Sequence, residues 1–158
     1  MRKRIDTSIS RRAPLDRENW VDLENEAEVE ITSEETDHPI EAALLPGTGS
    51  GWRASEQGIQ TIRIRFDAPK SIAGIHLVFT EEHVSRTQEF VLRWSAGEDQ
   101  PMREVLRQQY NFAPVSSEVE DYTVSLKQVK TLELEINPSI NDPVAYATLT
   151  ELRIRGEE

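Results

Sequence analysis

The sequence contains no cysteine, which removes disulfide staples, thiolate nucleophiles and zinc–thiolate sites together. No apolar run approaches the roughly 20 residues that span a bilayer, and the opening Met-Arg-Lys-Arg-Ile-Asp-Thr-Ser lacks the apolar stretch of a secretory signal. The expectation from both absences is a cytoplasmic chain. Glycine and proline are sparse, at 7 and 8 residues of 158, so collagen-like and low-complexity classes are excluded. No long amphipathic helix is present to cross over between parallel strands, which sets aside doubly wound and α/β-barrel architectures. What remains is a chain with 37% hydrophobic and 30% charged residues. A chain of this length buries roughly two-thirds of its surface on folding, enough for one core.

Charge is distributed unevenly. The formal net charge is -11, yet Arg2, Lys3, Arg4, Arg11 and Arg12 against Asp6 make the first twelve residues +4, leaving -15 on the rest. A body that acidic repels phosphate backbones and anionic lipid, so neither nucleic acid nor a membrane is an expected partner. Residues 1–19 read as a basic tail, flexible or peripheral, because nothing in them has an aromatic or amphipathic pattern to dock. Residues 20–158 read as a single domain.

Nearly every segment of that domain alternates with period two. Ile62, Ile64 and Phe66 oppose Arg63 and Arg65, and Ile75, Leu77 and Phe79 oppose His76 and Val78. Phe90, Leu92 and Trp94, then Tyr122, Val124 and Leu126, then Leu132, Leu134 and Ile136 repeat the pattern, as do Val29 with Ile31 and Leu152 with Ile154. With residues 103–112 this gives about eight half-buried strands, the number that a jelly-roll sandwich needs. Asp67-Ala-Pro-Lys70, residues 96–101 and residues 137–143 supply turn chemistry between them, which predicts antiparallel neighbours. One short helix is predicted over residues 39–45, opened by Pro39 and closed by Pro46-Gly47.

Motifs for chemistry are weak. Pro46-Gly-Thr-Gly-Ser-Gly-Trp52 has the glycines of a phosphate loop but no lysine and no following helix. His38, His76 and His83 lack the close sequence partners of a metal site. Glu34, Glu35 and Asp37, and Glu81 with Glu82, place carboxylates in loops, where an acidic chain also carries ordinary solvated charge. Ser50 and Ser95 lack the strand-to-helix elbow of a nucleophile. No residue is assigned a catalytic role; a hydrolase using Glu34, Glu82 or a histidine is the third-ranked reading.

The order of several segments is more informative. Residues 33–47, then Thr48-Gly-Ser-Gly-Trp-Arg-Ala-Ser55, then residues 60–75, resemble the opening of discoidin domains, also called coagulation-factor type C or galactose-binding-like domains. Phe90-Val-Leu-Arg-Trp-Ser-Ala-Gly97 and residues 145–156 resemble later strands of the same family. The resemblance covers residues 27–156 and implies an all-β fold, an antiparallel eight-stranded jelly-roll sandwich, in agreement with the strand count.

The resemblance also implies sites. Tyr146 stands where galactose-binding relatives stack an aromatic ring on a sugar, and Glu82, His83 and Arg86 lie where they supply polar contacts. No cofactor is expected, although many relatives hold a structural calcium, for which Glu151 and Thr48 are the matching ligands. The family's Asp-Gly after the short helix is here Leu45-Pro46-Gly47, so a hard anionic oxygen is missing. Trp52 and Trp94 are expected in the core. These features predict a non-catalytic module that recognises carbohydrate or a sugar-like ligand through loops at one end. The alternative is an intracellular protein-interaction or scaffold domain with a protein ligand and no small molecule; Arg63 with Arg65 and Glu133 with Glu135 offer charged strand faces for such a partner. The oligomeric state is not specified by the sequence.

Overall fold

Two strands of 22 residues each set the architecture. The computed structural model describes residues 19–47, 50–97 and 99–157. Among the described residues, eight strands and two single-turn helices follow in the order α1 (Leu23–Glu26), β1 (Ala27–Ile31), α2 (Glu41–Leu44), β2 (Trp52–Gln57), β3 (Gln60–Glu81), β4 (Arg86–Ser95), β5 (Arg103–Phe112), β6 (Ser116–Asn137), β7 (Tyr146–Leu149) and β8 (Glu151–Gly156). β3 and β6 pair antiparallel from Gln60 opposite Ile136 to Glu81 opposite Ser116. Their register shifts between Arg65 and Gly74. Pro69, which has no N–H to give the ladder, lies in that interval, and Gln128 on β6 takes a left-handed φ of 56°.

The ribbon thereby divides between two layers. Its first part, residues 60–66 of β3 with 131–137 of β6, lies between β1 and the pair β4–β5. Its second part, residues 72–81 with 116–126, is flanked by β8. Phe79 of the second layer meets Phe90 of the first with ring centroids 5.2 Å apart, and Phe90 meets Tyr122 at 6.5 Å. β2 and β7 form a separate two-stranded sheet. The architecture is an all-β antiparallel sandwich, as the alternation predicts.

Burial follows the sequence pattern. Ile62, Ile64, Phe66, Ile75, Leu77, Phe79, Phe90, Leu92, Leu132, Leu134 and Ile136 are all core. Trp52 is buried as expected, with its indole N–H donated to the Ser33 carbonyl at 3.0 Å. Trp94 is only half-buried, packed on the core with the Arg103 guanidinium 5.7 Å above its ring. The eight strands are not the eight that periodicity delimits. Residues 62–66 and 75–79 belong to one strand, as do 122–126 and 132–136, because pairing carries each chain through the bend. The count is restored by β2 and β7, which are short and rich in small or polar residues. The predicted helix is confirmed over Glu41–Leu44. The basic tail, except Asn19, lies outside the described residues.

The outer face of the five-stranded layer carries charges that neutralise one another. Arg63 meets Glu133 at 2.7 Å, Arg93 meets Glu133 and Glu135 at 3.1 and 3.0 Å, and Arg65 meets Glu28 and Glu30 at 3.1 Å each. The charged strand faces considered as a partner surface thus spend their charge within the sheet.

The sandwich interior is not wholly apolar. Glu118, 1% exposed, accepts a hydrogen bond from the buried Gln88 at 3.4 Å. Burial, and after it the adjacent Glu120 carboxylate, pushes the Glu118 carboxyl up to about 8 from an ordinary 4.5. The folded state therefore holds a proton that the unfolded chain releases at lower pH. The associated stability is complete below the ordinary value and is lost as pH rises through about 8. Glu118→Gln, which keeps an uncharged side chain of the same shape, is expected to melt at higher temperature than the wild type at pH 8 and to converge with it near pH 4.5. Thermal melts across that range check this; two parallel profiles would contradict it.

Candidate ligand-binding site

A cleft of about 530 Å³ opens where the ends of β2, β3 and β7 converge. Three local devices bring them together. The Thr150 N–H donates to the Val78 carbonyl at 2.8 Å, and the Thr150 and Thr80 hydroxyls are 2.8 Å apart, which ties the β7–β8 junction to the end of β3. Gly51, at φ 93°, lets the start of β2 approach that junction: a Cβ there would lie 2.8 Å from the Leu149 oxygen and the Thr150 Cα. Only glycine satisfies both requirements. Finally, the Arg53 N–H donates to the His38 carbonyl and the Glu35 N–H to the Arg53 carbonyl, at 3.1 and 2.9 Å, so the segment before α2 runs along β2.

The walls are polar. Thr80, Thr148 and Thr150 present hydroxyls from strand ends, and Glu35, His38, Ser50 and Arg53 face Glu81, Glu82 and His83. Ser50 Oγ is 3.1 Å from His38 Nδ1, and the Arg53 guanidinium is 3.4 Å from Glu35. Glu81 organises the β3–β4 loop: its carboxylate accepts from the Arg86 guanidinium at 2.6 Å and from the backbone N–H groups of His83 and Val84 at 2.8 and 3.1 Å. Burial opposes ionisation of Glu81, but these donors outweigh it and hold the carboxyl below its usual range.

Glu82 and His83 line this cleft, with side chains 74% and 81% exposed. Arg86 does not; it opens β4 and its side chain is only 2% exposed. Besides Glu81, it donates to Gln88, the Pro138 carbonyl and Thr148, at 3.2, 2.9 and 3.4 Å, and its guanidinium lies 4.6 Å from the Phe112 ring centre. The expectation of a loop donor is corrected: five groups from separate segments consume the guanidinium, which braces the cleft from beneath. Tyr146 is the first residue of β7 rather than a loop residue before the last strand. It is half-buried and does not line the cleft; Arg53, which does, sits over its ring at 4.9 Å.

The calcium expectation meets a different environment. Thr48 lies outside the described residues. Glu151 borders a second cavity and is 3.3 Å from His76 Nε2 and 3.8 Å from the Arg153 guanidinium. Among the described residues no group of three histidine, aspartate or glutamate side chains is placed to hold a metal ion. The cleft residues that sequence reasoning left unassigned are Arg53, His38, Ser50 and the threonines. His38 and Ser50 stand out in the sequence only as an isolated histidine and an isolated serine, because no sequence signal pairs residues 35–38 with residue 53.

No family model matches the sequence, and no curated protein matches it. Solved structures do. A family 32 carbohydrate-binding module of Clostridium perfringens NanJ, in complex with galactose, superposes with a TM-score of 0.59 at 13% identity, covering 86% of this chain and 97% of that one. The fold is galactose-binding-like, of the discoidin type. The CBM32-5 module of CpGH89 from Clostridium perfringens, in complex with GalNAc-β-1,3-galactose, gives 0.62 at 15% identity over 86% of this chain and 99% of that one. Allantoicase gives 0.57 at 16% identity, over 83% of this chain but 41% of its own. Since a domain of this fold occurs both in sugar-binding modules and within an enzyme chain, the galactose-binding-like fold leaves function to be argued from the cleft.

The brace yields a test. Arg86→Met strands the Glu81 carboxylate, 11% exposed, without its cation. Removing one partner of a buried pair costs about 3–5 kcal/mol, whereas Glu82→Ala, on the exposed rim, is expected to change stability by less than about 0.5 kcal/mol. Urea unfolding of the two variants measures the contrast.

Proposed function

We propose that this domain is a non-catalytic carbohydrate-binding module whose ligand occupies the cleft between β2, the β3–β4 loop and β7. The observation that carries the reading is the polar lining of that cleft on a fixed base. Thr80, Thr148 and Thr150 are held at strand ends, and Glu81 and Arg86 lock the loop that presents Glu82 and His83. A sugar offers a ring of hydroxyl groups, each both donor and acceptor. A set of hydroxyls, imidazoles, a guanidinium and carboxylates answers it without requiring any charge on the ligand.

In this reading Glu82 and His83 bond to the sugar from the rim, and His38 with Ser50 from the opposite wall. Tyr146 contributes through Arg53, which rests on its ring, and Arg86 positions the loop without touching the ligand. The sugars bound by the NanJ and CpGH89 modules make galactose and GalNAc the first candidates for testing.

Thermal melting against a panel of monosaccharides and oligosaccharides tests the proposal, since a ligand specific for the native state raises its stability with occupancy. One sugar class is expected to raise the melting temperature. His83→Ala and Glu82→Gln are expected to weaken that binding about tenfold each, the worth of one hydrogen bond to a charged or polar partner, with the unliganded melting temperature unchanged. No shift with any glycan, together with recovery of one defined protein in pull-downs, would replace this reading with the protein-interaction domain.

A further inference from the structure

We infer that Arg153 is the built-in cation of the opening loop, taking the role that a bound calcium ion is expected to play in this fold. The second cavity, about 620 Å³, is bordered by the carboxylates Asp22 and Glu151 and by Arg153, Trp20, Leu45 and Pro46. This is the place where the resemblance puts the calcium, between the carboxylate at residue 151 and the oxygens of the loop after the short helix. Calcium there would need six to eight oxygen ligands at about 2.3–2.6 Å. The described loop, Leu45, Pro46 and Gly47, has only backbone carbonyls to give; of the two carboxylates, Asp22 accepts from the Asn25 side chain at 2.7 Å and Glu151 stands 3.3 Å from His76 Nε2, and among the described residues no third acidic or histidine side chain joins them as a metal-holding group.

Arg153 stands beside the Glu151 carboxylate and bonds to two backbone carbonyls, one of them in α2. Its Nη1 donates to the Ala43 carbonyl at 2.8 Å and to the Leu152 carbonyl at 2.9 Å, and its Nη2 stands 3.8 Å from Glu151. The Ala43 carbonyl belongs to α2, 110 residues away in sequence. One side chain therefore fastens α2 to β8, as a metal bridging the two would. The guanidinium also lies 5.7 Å from the Trp20 ring centre, and the side chain is 10% exposed. Burial draws the Arg153 pKa down while Glu151 draws it up, and an arginine so paired keeps its charge. Glu151 is held from its other side by His76, whose Nδ1 is 2.7 Å from Asp121. A divalent ion entering here would meet the fixed positive charge of Arg153 beside only two carboxylates, Asp22 and Glu151.

The consequence is a sandwich whose opening loop is independent of calcium and dependent on Arg153. Purified full-length protein is melted in excess chelator, in calcium and in magnesium, beside Arg153→Met, Glu151→Gln and the double variant. The wild-type melting temperature is expected to be the same in all three buffers. Arg153→Met is expected to fall by about 5–10 °C, a loss that scales with the few interactions removed in a chain of this size, and the double variant to fall by less than the sum of the singles, because the two groups act on one another. A wild type that melts lower in chelator or higher in calcium would overturn the inference, as would additive single variants. The wild-type buffer comparison decides the matter even if Arg153→Met does not fold.

Discussion

The antiparallel pairing of β3 with β6 is the constraint on which the rest of the molecule depends. Both strands run 22 residues, far longer than the usual five or six, and a ribbon of that length cannot stay flat and still enclose a core. The irregular register around Pro69 and Gln128 lets it turn from one layer into the other while pairing is preserved on both sides of the bend. Every other strand takes its place from this ribbon: β1, β4 and β5 extend one part, β8 extends the other, and β2 with β7 sits beside the open end. The inward rows Ile62–Ile64–Phe66 and Ile75–Leu77–Phe79 then contribute to one core from opposite layers, and their burial is the main driving force that holds the bend closed.

At the end where the cleft lies, the same closure traps polar groups that cannot reach bulk water. Arg86, Gln88 and Glu118 are buried in sequence along the interior, and their hydrogen bonds connect β3, β4, β6, β7 and the β6–β7 loop. A guanidinium suits this position because its fixed fork of donors satisfies several acceptors at once. The arrangement exchanges some stability for definition: the β3–β4 loop and β7 are tied to one guanidinium, so the side chains they bring to the cleft are presented by a rigid base. Arg153 does the equivalent at the α2–β8 junction. In both places an arginine joins segments distant in sequence where a small β-domain without cysteine has no covalent means of doing so.

How far the fold could be read from the residues follows from this. Alternation identified the inward faces of β3, β4, β6 and β8, since side chains in an extended chain alternate whatever the neighbouring strand. It did not reveal that residues 62–66 and 75–79 are one strand, because Asp67-Ala-Pro-Lys70 has the composition of a turn and only the partner strand keeps it extended. β2 escaped notice for a related reason: Trp52 and Ala54 are buried, but Arg53, Ser55, Glu56 and Gln57 give no repeating pattern. For the cleft, Glu82 and His83 of the β3–β4 loop are exposed at its rim as their polar loop sequence suggests, whereas nothing in the sequence separates them from Arg86, three positions further along, whose burial only the fold decides.

The sequence by itself determined an all-β chain, the faces of its strands, a short helix within residues 39–45 and an acidic balance of charge, all of which depend on local periodicity and composition. Tertiary structure alone decided which polar residues meet. Arg53 with Tyr146, Arg86 with Thr148, Arg153 with Ala43 and His38 with Ser50 are brought within contact by strand register and by the bend of β3 and β6. The physical reason is that hydrogen bonds and ion pairs act over a few ångströms, so their partners are fixed by how the backbone closes on itself and not by any pattern along the chain.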